Sequence, residues 1–510
     1  MSFHQYIFLI LFFIAYINSS AQEKNRQELR TLIVFFDGLR PDYITPEAMP
    51  NLYAFSKSGV YGKQHHSVFP TVTRVNASSY SSGSYPGTHG VLGNTVYFPS
   101  VDSKKGLNTG EYSDLNRIAA ATDGHLLTAI TLGEVLQKSG KKMMVFSSGS
   151  TGQAMLQNHK VSSGAIVNPG LILPAAFKEE LVREIGPIPA NAKPNTAQHK
   201  WITDALIRYG LTLDGPLVSA IWFSDPDGTA HADGIGAASS IESIKIVDAE
   251  FGRIIDVLKT KKLDEHFDVI ISADHGFITN TGNVGLTDFL IENGFKKDQE
   301  SEDVVVAEGA IYVRDHNAEV IQKIVSALQA QEWVGPLFTK GKNPGDAKGT
   351  IAGTLSFEVI HWNHPDRSAD VLVDENWDDR KNEKGYAGMS FSRGVAGHGG
   401  ISPYEVHIAL LATGPSFKKN FESELPTSNV DIVPTILSNH GIPAPLGMDG
   451  RIMTELLIGN SKEKRMVPRK EKITTTTRFA GGTYTLTLER TILGKYQYVD
   501  FAQAVRKLNK

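Results

Sequence analysis

The chain has 510 residues, 41% of them hydrophobic, and sets 51 Lys and Arg against 55 Asp and Glu for a formal charge of -4 and a pI near 6.5. That length suits one large α/β domain with insertions, or two domains, and a sizeable core. The charge balance has no long run of either sign, which points away from nucleic acid or an anionic membrane surface as a partner, and the absence of cysteine excludes a disulfide scaffold, thiolate metal ligation and acylation on cysteine.

In chain order, the apolar run IFLILFFIAYI at 7–17 is followed by the small residues NSSA. It is too short to span a bilayer and predicts a signal peptide over 1–21, cleaved after Ala21, with an uncleaved anchor as the alternative. No later stretch is long and apolar enough to cross a membrane. The mature protein is therefore expected to be exported, periplasmic or secreted.

Short apolar runs then recur as TLIVFF (31–36), MMVFSS (143–148), VSAIWFS (218–224), FDVIISA (267–273) and VHIALLAT (406–413). Near-continuous apolar strands are what a parallel sheet covered on both faces requires. Between two of them, Ile241, Ile244, Val247, Phe251, Ile254, Ile255 and Leu258 recur at helical spacing. The pattern is α/β, a mostly parallel central sheet with helices on both faces. It predicts a first core segment over 22–275, an inserted smaller α+β cap over 276–393, and a second core segment over 394–510 that ends in a β-hairpin around Gly494. The segment 98–114 reads as a loop.

Four polar features follow or precede predicted strands, at the edge where open α/β sheets place their sites. Asp37 in LIVFFDGLRPD is a turn former with Gly38 or a carboxylate presented at the sheet edge. In SDPDGTAHADG, Asp227 and His231 are four apart, so both can reach one cation from a single helical turn; Asp225 and Asp233 are possible substitutes, and a Pro-Asp-Gly turn is the alternative. Asp274 and His275 are adjacent where a strand breaks at Gly276. His398 lies in the glycine-rich loop GVAGHGG. Three carboxylates and three imidazoles favour Zn²⁺ over Mg²⁺ or Ca²⁺, and six ligands suit two divalent metal ions better than one. Such a pair can ionise a hydroxyl without a histidine base, which draws attention to the hydroxyl-rich stretch FPTVTRVNASSYSSGSYPGTHGVLGN at 69–94.

In this order, FFDGLRPD, PTVTRVN, YPGTHGVLGN, PDGTAH, SADHGF and AGHGG resemble the alkaline phosphatase superfamily, in its type I phosphodiesterase and nucleotide pyrophosphatase branch; the likeness runs from about residue 31 to 455. The resemblance implies a metal-dependent phosphoric ester hydrolase. In it, Thr73 is the nucleophile, passing through a covalent phosphothreonine, and Asn94 is a side-chain amide on a nonbridging phosphoryl oxygen. It also divides the ligands, with Asp227, His231 and His398 on one metal, and Asp37, Asp274, His275 and the Thr73 oxygen on the other. The implied partner is a small phosphate ester or phosphonate.

The chain departs from the branch directly after the nucleophile. Nucleotide-cleaving relatives commonly carry Phe-Pro-Asn there, and this chain has Arg74, Val75 and Asn76. Arg74 is either a surface charge or a contact to a carboxylate or second phosphate of the substrate. Part of the same block is shared with phosphonoacetate hydrolases, so a phosphonate or phosphomonoester hydrolase is the second enzymatic reading; a non-catalytic, metal-stabilised binding protein is the third. Trp222 is expected in the core or the site wall, His65 and His66 at the surface, and His89 in loop structure. Ser78, Ser79, Ser81, Ser82 and Ser84 are expected to line or cap the helix after Thr73.

Overall fold

A computed structural model describes residues 28–459 and 466–509; the signal-peptide reading of 1–21 lies outside the described residues. Nine strands form the main sheet: β1 (Arg30–Phe36), β2 (Val60–His66), β3 (Met143–Ser147), β4 (Ala165–Asn168), β5 (Leu171–Leu173), β6 (Val218–Phe223), β7 (Phe267–Ala273), β8 (His407–Thr413) and β9 (Phe421–Ser428). Their spatial order is β9-β2-β8-β7-β1-β6-β3-β4-β5. Pairing is parallel from β7 through β1, β6 and β3 to β4, and between β2 and β9, while β8 runs antiparallel to both its neighbours and β5 antiparallel to β4.

Central β1 shows why its sequence is apolar throughout. Ile33 and Phe35 enter one hydrophobic cluster with Tyr80 and Trp222, and Leu32, Val34 and Phe36 enter another with Ile244 and Phe251. Successive strand residues point to opposite faces, so a strand covered on both sides has no polar register to spare. The helix expected from the 3.6-residue spacing forms as Ala238–Thr260 and buries Ile244, Val247, Phe251, Ile254 and Leu258.

Between the core segments, a five-stranded sheet that includes Val304–Ala307, Ala310–Val313 and Val334–Thr339 packs with the helix Ala318–Gln329, and a four-stranded sheet that includes Ile278–Gly282 and Ala387–Arg393 lies beside it. Near the C-terminus, the turn at Gly494 joins Gly482–Leu493 to Tyr496–Leu508, and a further strand, Arg469–Phe479, completes an antiparallel sheet of three. This sheet shares one hydrophobic cluster with the five-stranded sheet through Tyr484, Leu486, Val499 and Ala502. The segment 98–114 is less loop-like than its composition suggested: Thr95–Val96 pairs with Leu107–Asn108, and a helix starts at Tyr112.

Candidate two-metal site and nucleophile

Asp37, Asp227 and Asp274 follow β1, β6 and β7, three neighbouring parallel strands, so their carboxylates converge beyond one edge of the sheet. His275 comes from the strand break at Gly276, and His398 from the loop before β8. His231 stands one turn along the short helix Asp227–Asp233, above Asp227. The six residues that the sequence singled out are thus brought together, and Asp225 is committed elsewhere. Its carboxylate accepts from His199 Nε2 at 2.8 Å and from the Asn195 backbone N–H at 2.9 Å. Asp233 pairs with the Ser239 hydroxyl.

The tautomer of each imidazole follows from its backbone contact. The Nδ1 atoms of His231, His275 and His398 lie 3.0, 2.9 and 2.8 Å from the carbonyls of Ala396, Gly276 and Thr71. A carbonyl only accepts, so each Nδ1 carries the proton and, in the neutral ring, each Nε2 presents a lone pair. Those lone pairs face carboxylate oxygens. His231 and His398 Nε2 each lie 3.2 Å from Asp227 Oδ1, and His275 Nε2 lies 3.0 Å from Asp274 Oδ2 and 3.4 Å from Asp37 Oδ1. The same three oxygens, Asp37 Oδ1, Asp227 Oδ1 and Asp274 Oδ2, are buried without a hydrogen-bond partner. Acceptors crowded against acceptors in a buried place repel, and a cation between them removes the repulsion. The donor set therefore fits divalent metal ions. Two groups, Asp37–Asp274–His275 and Asp227–His275–His398, each hold their ligand atoms within 4.8 Å of one another.

The opposite carboxylate oxygens are held by the protein. Trp222 Nε1 donates to Asp37 Oδ2 at 2.9 Å, and the Gly38 and His275 backbone N–H groups donate to Asp274 Oδ1 at 3.0 Å. Such outer contacts aim a ligand. Burial, and after it the Asp274 and Asp227 charges, push the Asp37 carboxyl well above its ordinary range. Burial, reinforced by the neighbouring His275, lowers His398 to about 4, which keeps it in the neutral form a metal ligand requires.

Thr73 is the first residue of the helix Thr73–Ser82, and its Oγ1 lies 3.3 Å from His275 Nε2. Asn94 Oδ1 accepts from the Arg74 backbone N–H at 3.1 Å, which fixes the amide and leaves Nδ2 as its free donor. Ser78, Ser79, Ser81 and Ser82 are within the helix, and Ser84 lies just past its C-cap, Gly83. Ser78 and Ser82 bond back to helix carbonyls, and Ser79 reaches the buried His89. Residues 76–78, NAS, match a glycosylation acceptor, and the full burial of Asn76 closes it to that modification.

Two clefts of about 600 Å³ meet at this centre. One runs over the core and is lined by Thr73, Arg74, Ser150, Asn168 and Lys193, with no aromatic side chain. The other runs under the inserted unit and is lined by Asn94, His231, Glu308, Trp362 and His398. Arg74 Nε is buried without a partner. His65 and His66 are not at the surface as expected, with exposures of 0% and 2%. His65 bonds Thr427, and His66 faces Asp500 at 3.1 Å, because β2 is covered by β9 and the C-terminal sheet.

The family model of the type I phosphodiesterase / nucleotide pyrophosphatase matches residues 31–383, more than half of the chain. The chain belongs to that family. It is 25% identical over 448 residues to the bis(5'-adenosyl)-triphosphatase enpp4 of Xenopus laevis, covering 86% of this chain and 83% of that protein. To ectonucleotide pyrophosphatase/phosphodiesterase family member 5 of Homo sapiens it is 22% identical over 443 residues, covering 86% and 80%. It spans 41% of the length of family member 3 of Rattus norvegicus, at 22% identity and 79% of this chain. Among solved structures, murine family member 5 aligns with a TM-score of 0.59 at 20% identity, over 84% of this chain and all of that one. A mutant of the alkaline phosphatase PafA aligns with a TM-score of 0.62 at 16% identity, over 84% and 99%. These two likenesses establish the alkaline phosphatase-like fold. Family membership makes the protein a phosphoric ester hydrolase. Among the described residues, no helix is long and apolar enough to cross a membrane.

Proposed function

We propose that the protein is an exported, zinc-dependent hydrolase of phosphodiester or pyrophosphate bonds that works through a phosphothreonine at Thr73. The observation that carries this reading is the set of three buried, unpartnered carboxylate oxygens turned toward imidazole Nε2 atoms, in rings whose Nδ1 atoms are taken up by backbone carbonyls. Asp37, Asp274 and His275 would hold one ion beside Thr73, and Asp227, His231 and His398 the other; three imidazoles in the set favour zinc. When bound, the two cations supply the positive charge that ionises a hydroxyl at neutral pH and offsets charge on the phosphoryl group.

The chain's own residues do the rest. Thr73 opens a helix, so its oxygen attacks phosphorus where the peptide dipole favours an anion. The Asn94 amide, oriented by the Arg74 N–H, donates through Nδ2 to a nonbridging oxygen as charge builds there. As the Thr73 oxygen–phosphorus bond forms, the bond to the leaving oxygen breaks, and that group departs toward the cleft lined by His231 and His398. The proton that the Thr73 hydroxyl loses on attack balances the one taken up by the leaving oxygen; water then attacks the phosphothreonine, its OH staying on phosphorus and its other proton restoring the Thr73 hydroxyl. Reading 1–21 as a signal peptide places this chemistry outside the cytoplasm, in keeping with the "ecto" in the relatives' names.

Arg74 favours a second reading, a phosphonate or phosphomonoester hydrolase, because a guanidinium beside the proposed nucleophile whose buried Nε lacks a partner suits a second anionic group. One substrate panel separates the two readings: nucleotide diesters, dinucleoside polyphosphates, phosphonoacetate, an aryl sulfate and bis-p-nitrophenyl phosphate, all assayed with zinc. Diester cleavage that Thr73→Ala abolishes without loss of metal supports the first. Activity retained in that variant would sink the nucleophile assignment.

A further inference from the structure

The inserted unit reaches the catalytic centre at one hairpin tip. The strands Val304–Ala307 and Ala310–Val313 pair up to Ala307 opposite Ala310, so their loop is the dipeptide Glu308-Gly309. Two-residue hairpin loops are usually built from Asn, Asp or Gly, which enter the left-handed region cheaply. Glu308 sits there with φ 54°. A glutamate held in that conformation breaks the local rule, and such breaks cluster where a side chain has work to do.

The Glu308 carboxylate crosses to the core and accepts the Asn94 backbone N–H through Oε2 at 2.8 Å. Room for it is provided by Gly93, where a Cβ would lie 2.6 Å from the same Oε2. The other side of Asn94 is pinned as well, since its carbonyl accepts the Thr109 hydroxyl at 2.7 Å and the Thr109 N–H at 2.9 Å. The Asn94 side chain in turn accepts the Arg74 N–H, the residue after Thr73. A continuous set of contacts therefore runs from the hairpin tip through Asn94 to the start of the nucleophile helix.

We propose that Glu308 is a positioning residue for the phosphoryl-binding amide: its carboxylate fixes the Asn94 backbone, so the inserted unit completes the site that the core begins. The proposal rests on the reading of Asn94 as the phosphoryl contact. Glu308 touches no reacting atom. It limits the amide to the orientation in which Nδ2 meets a nonbridging oxygen, and because that contact tightens as charge develops, its loss falls on kcat more than on KM.

The test is a double-mutant cycle on the full-length, zinc-loaded enzyme with bis-p-nitrophenyl phosphate, measuring kcat, KM and bound metal for Glu308→Ala, Asn94→Ala and the double variant. The expected result is a loss of about tenfold in kcat/KM for Glu308→Ala, carried mainly by kcat, and less than about twofold further loss when Asn94 is already alanine. Glu308→Gln keeps an oxygen acceptor for the Asn94 N–H and recovers most of the loss. An equal loss in both backgrounds, or full activity in Glu308→Ala, overturns the positioning role while leaving Asn94 in place. Full activity in Asn94→Ala overturns the reading of Asn94 itself, so the two failures are told apart.

Discussion

The Trp222 indole N–H donates to Asp37 Oδ2 at 2.9 Å while Oδ1 of the same carboxylate is buried with no partner. Trp222 is otherwise core, stacked on Phe35 with ring centroids 4.5 Å apart and fully buried, so one side chain fills space between strands and aims a carboxylate proposed to hold metal. Trp222→Phe keeps much of the packing and removes the donor. It is expected to lower metal affinity by roughly 10- to 100-fold while saturating zinc restores most of kcat, read from chelator competition and from activity against free zinc.

Metal removal is expected to cost stability as well as activity. Stripped of cations, the centre holds three carboxylates whose inward oxygens have no protein partner. Ion binding to the native state alone adds about 2.7 kcal/mol at a free concentration 100 times Kd. Chelated protein should therefore melt several degrees lower and regain both melting temperature and turnover on adding zinc. An unchanged melting curve after complete removal of zinc, shown by elemental analysis, would contradict this account of the site.

The parts of the fold that are legible in the sequence are the ones buried on both sides. The strands β1, β3, β6, β7 and β8 carry near-continuous apolar runs because each has neighbours and covering on both faces. Edge strand β9, FESELPTS, and its neighbour β2, VYGKQHH, mix exposed charge with buried positions, so neither forms an apolar run. The strand Arg469–Phe479 hides in the same way behind alternating exposed threonines and charges. The clustering of the candidate residues was legible because they sit directly after strands or beside glycine breaks. Glu308 was not, since nothing local links it to Asn94, 214 residues away, and only its turn chemistry is out of the ordinary. His66 misled for a related reason: its partner Asp500 is 434 positions distant.

That His66–Asp500 contact ties the C-terminal sheet to the core. Asp500 is 2% exposed, also meets Lys470 Nζ at 3.0 Å, and accepts the Thr491 hydroxyl. Burial alone would raise its carboxyl, but the His66 and Lys470 contacts hold it at about 2. A depressed acid stabilises the fold above its unfolded pKa of about 3.9 and loses that contribution as pH falls toward the folded value. Asp500→Asn is therefore expected to melt below the wild type at neutral pH, by an amount corresponding to about 1–3 kcal/mol. The gap between the two melting curves should narrow as pH is lowered from about 4 toward 2, because protonation then neutralises the wild-type residue as well. A gap that stays constant over that range would remove the ionic part of the argument.

Arg74 is proposed to select what the core-side cleft accepts. Its buried Nε lacks a partner, and the cleft around it offers Lys193, Ser150 and Asn168 but no aromatic face on which a base could stack. A guanidinium placed there gains most from an anionic group two or three bonds beyond the scissile phosphorus, through paired N–H donors that no lysine or alanine reproduces. Arg74→Ala is expected to reduce kcat/KM by at least tenfold for a substrate with a second phosphate or a carboxylate, since such charge-assisted contacts contribute about 1.5–3 kcal/mol. For an aryl diester with no anionic group beyond the scissile phosphoryl the same change should be worth less than about threefold, because the contact it removes is not used. Arg74→Phe goes further by supplying the missing face, and the ratio of nucleotide diester to phosphonoacetate turnover should rise in that variant. Equal losses on substrates with and without a second anionic group would mean that Arg74 shapes the start of the helix Thr73–Ser82 instead of binding the substrate's second anion.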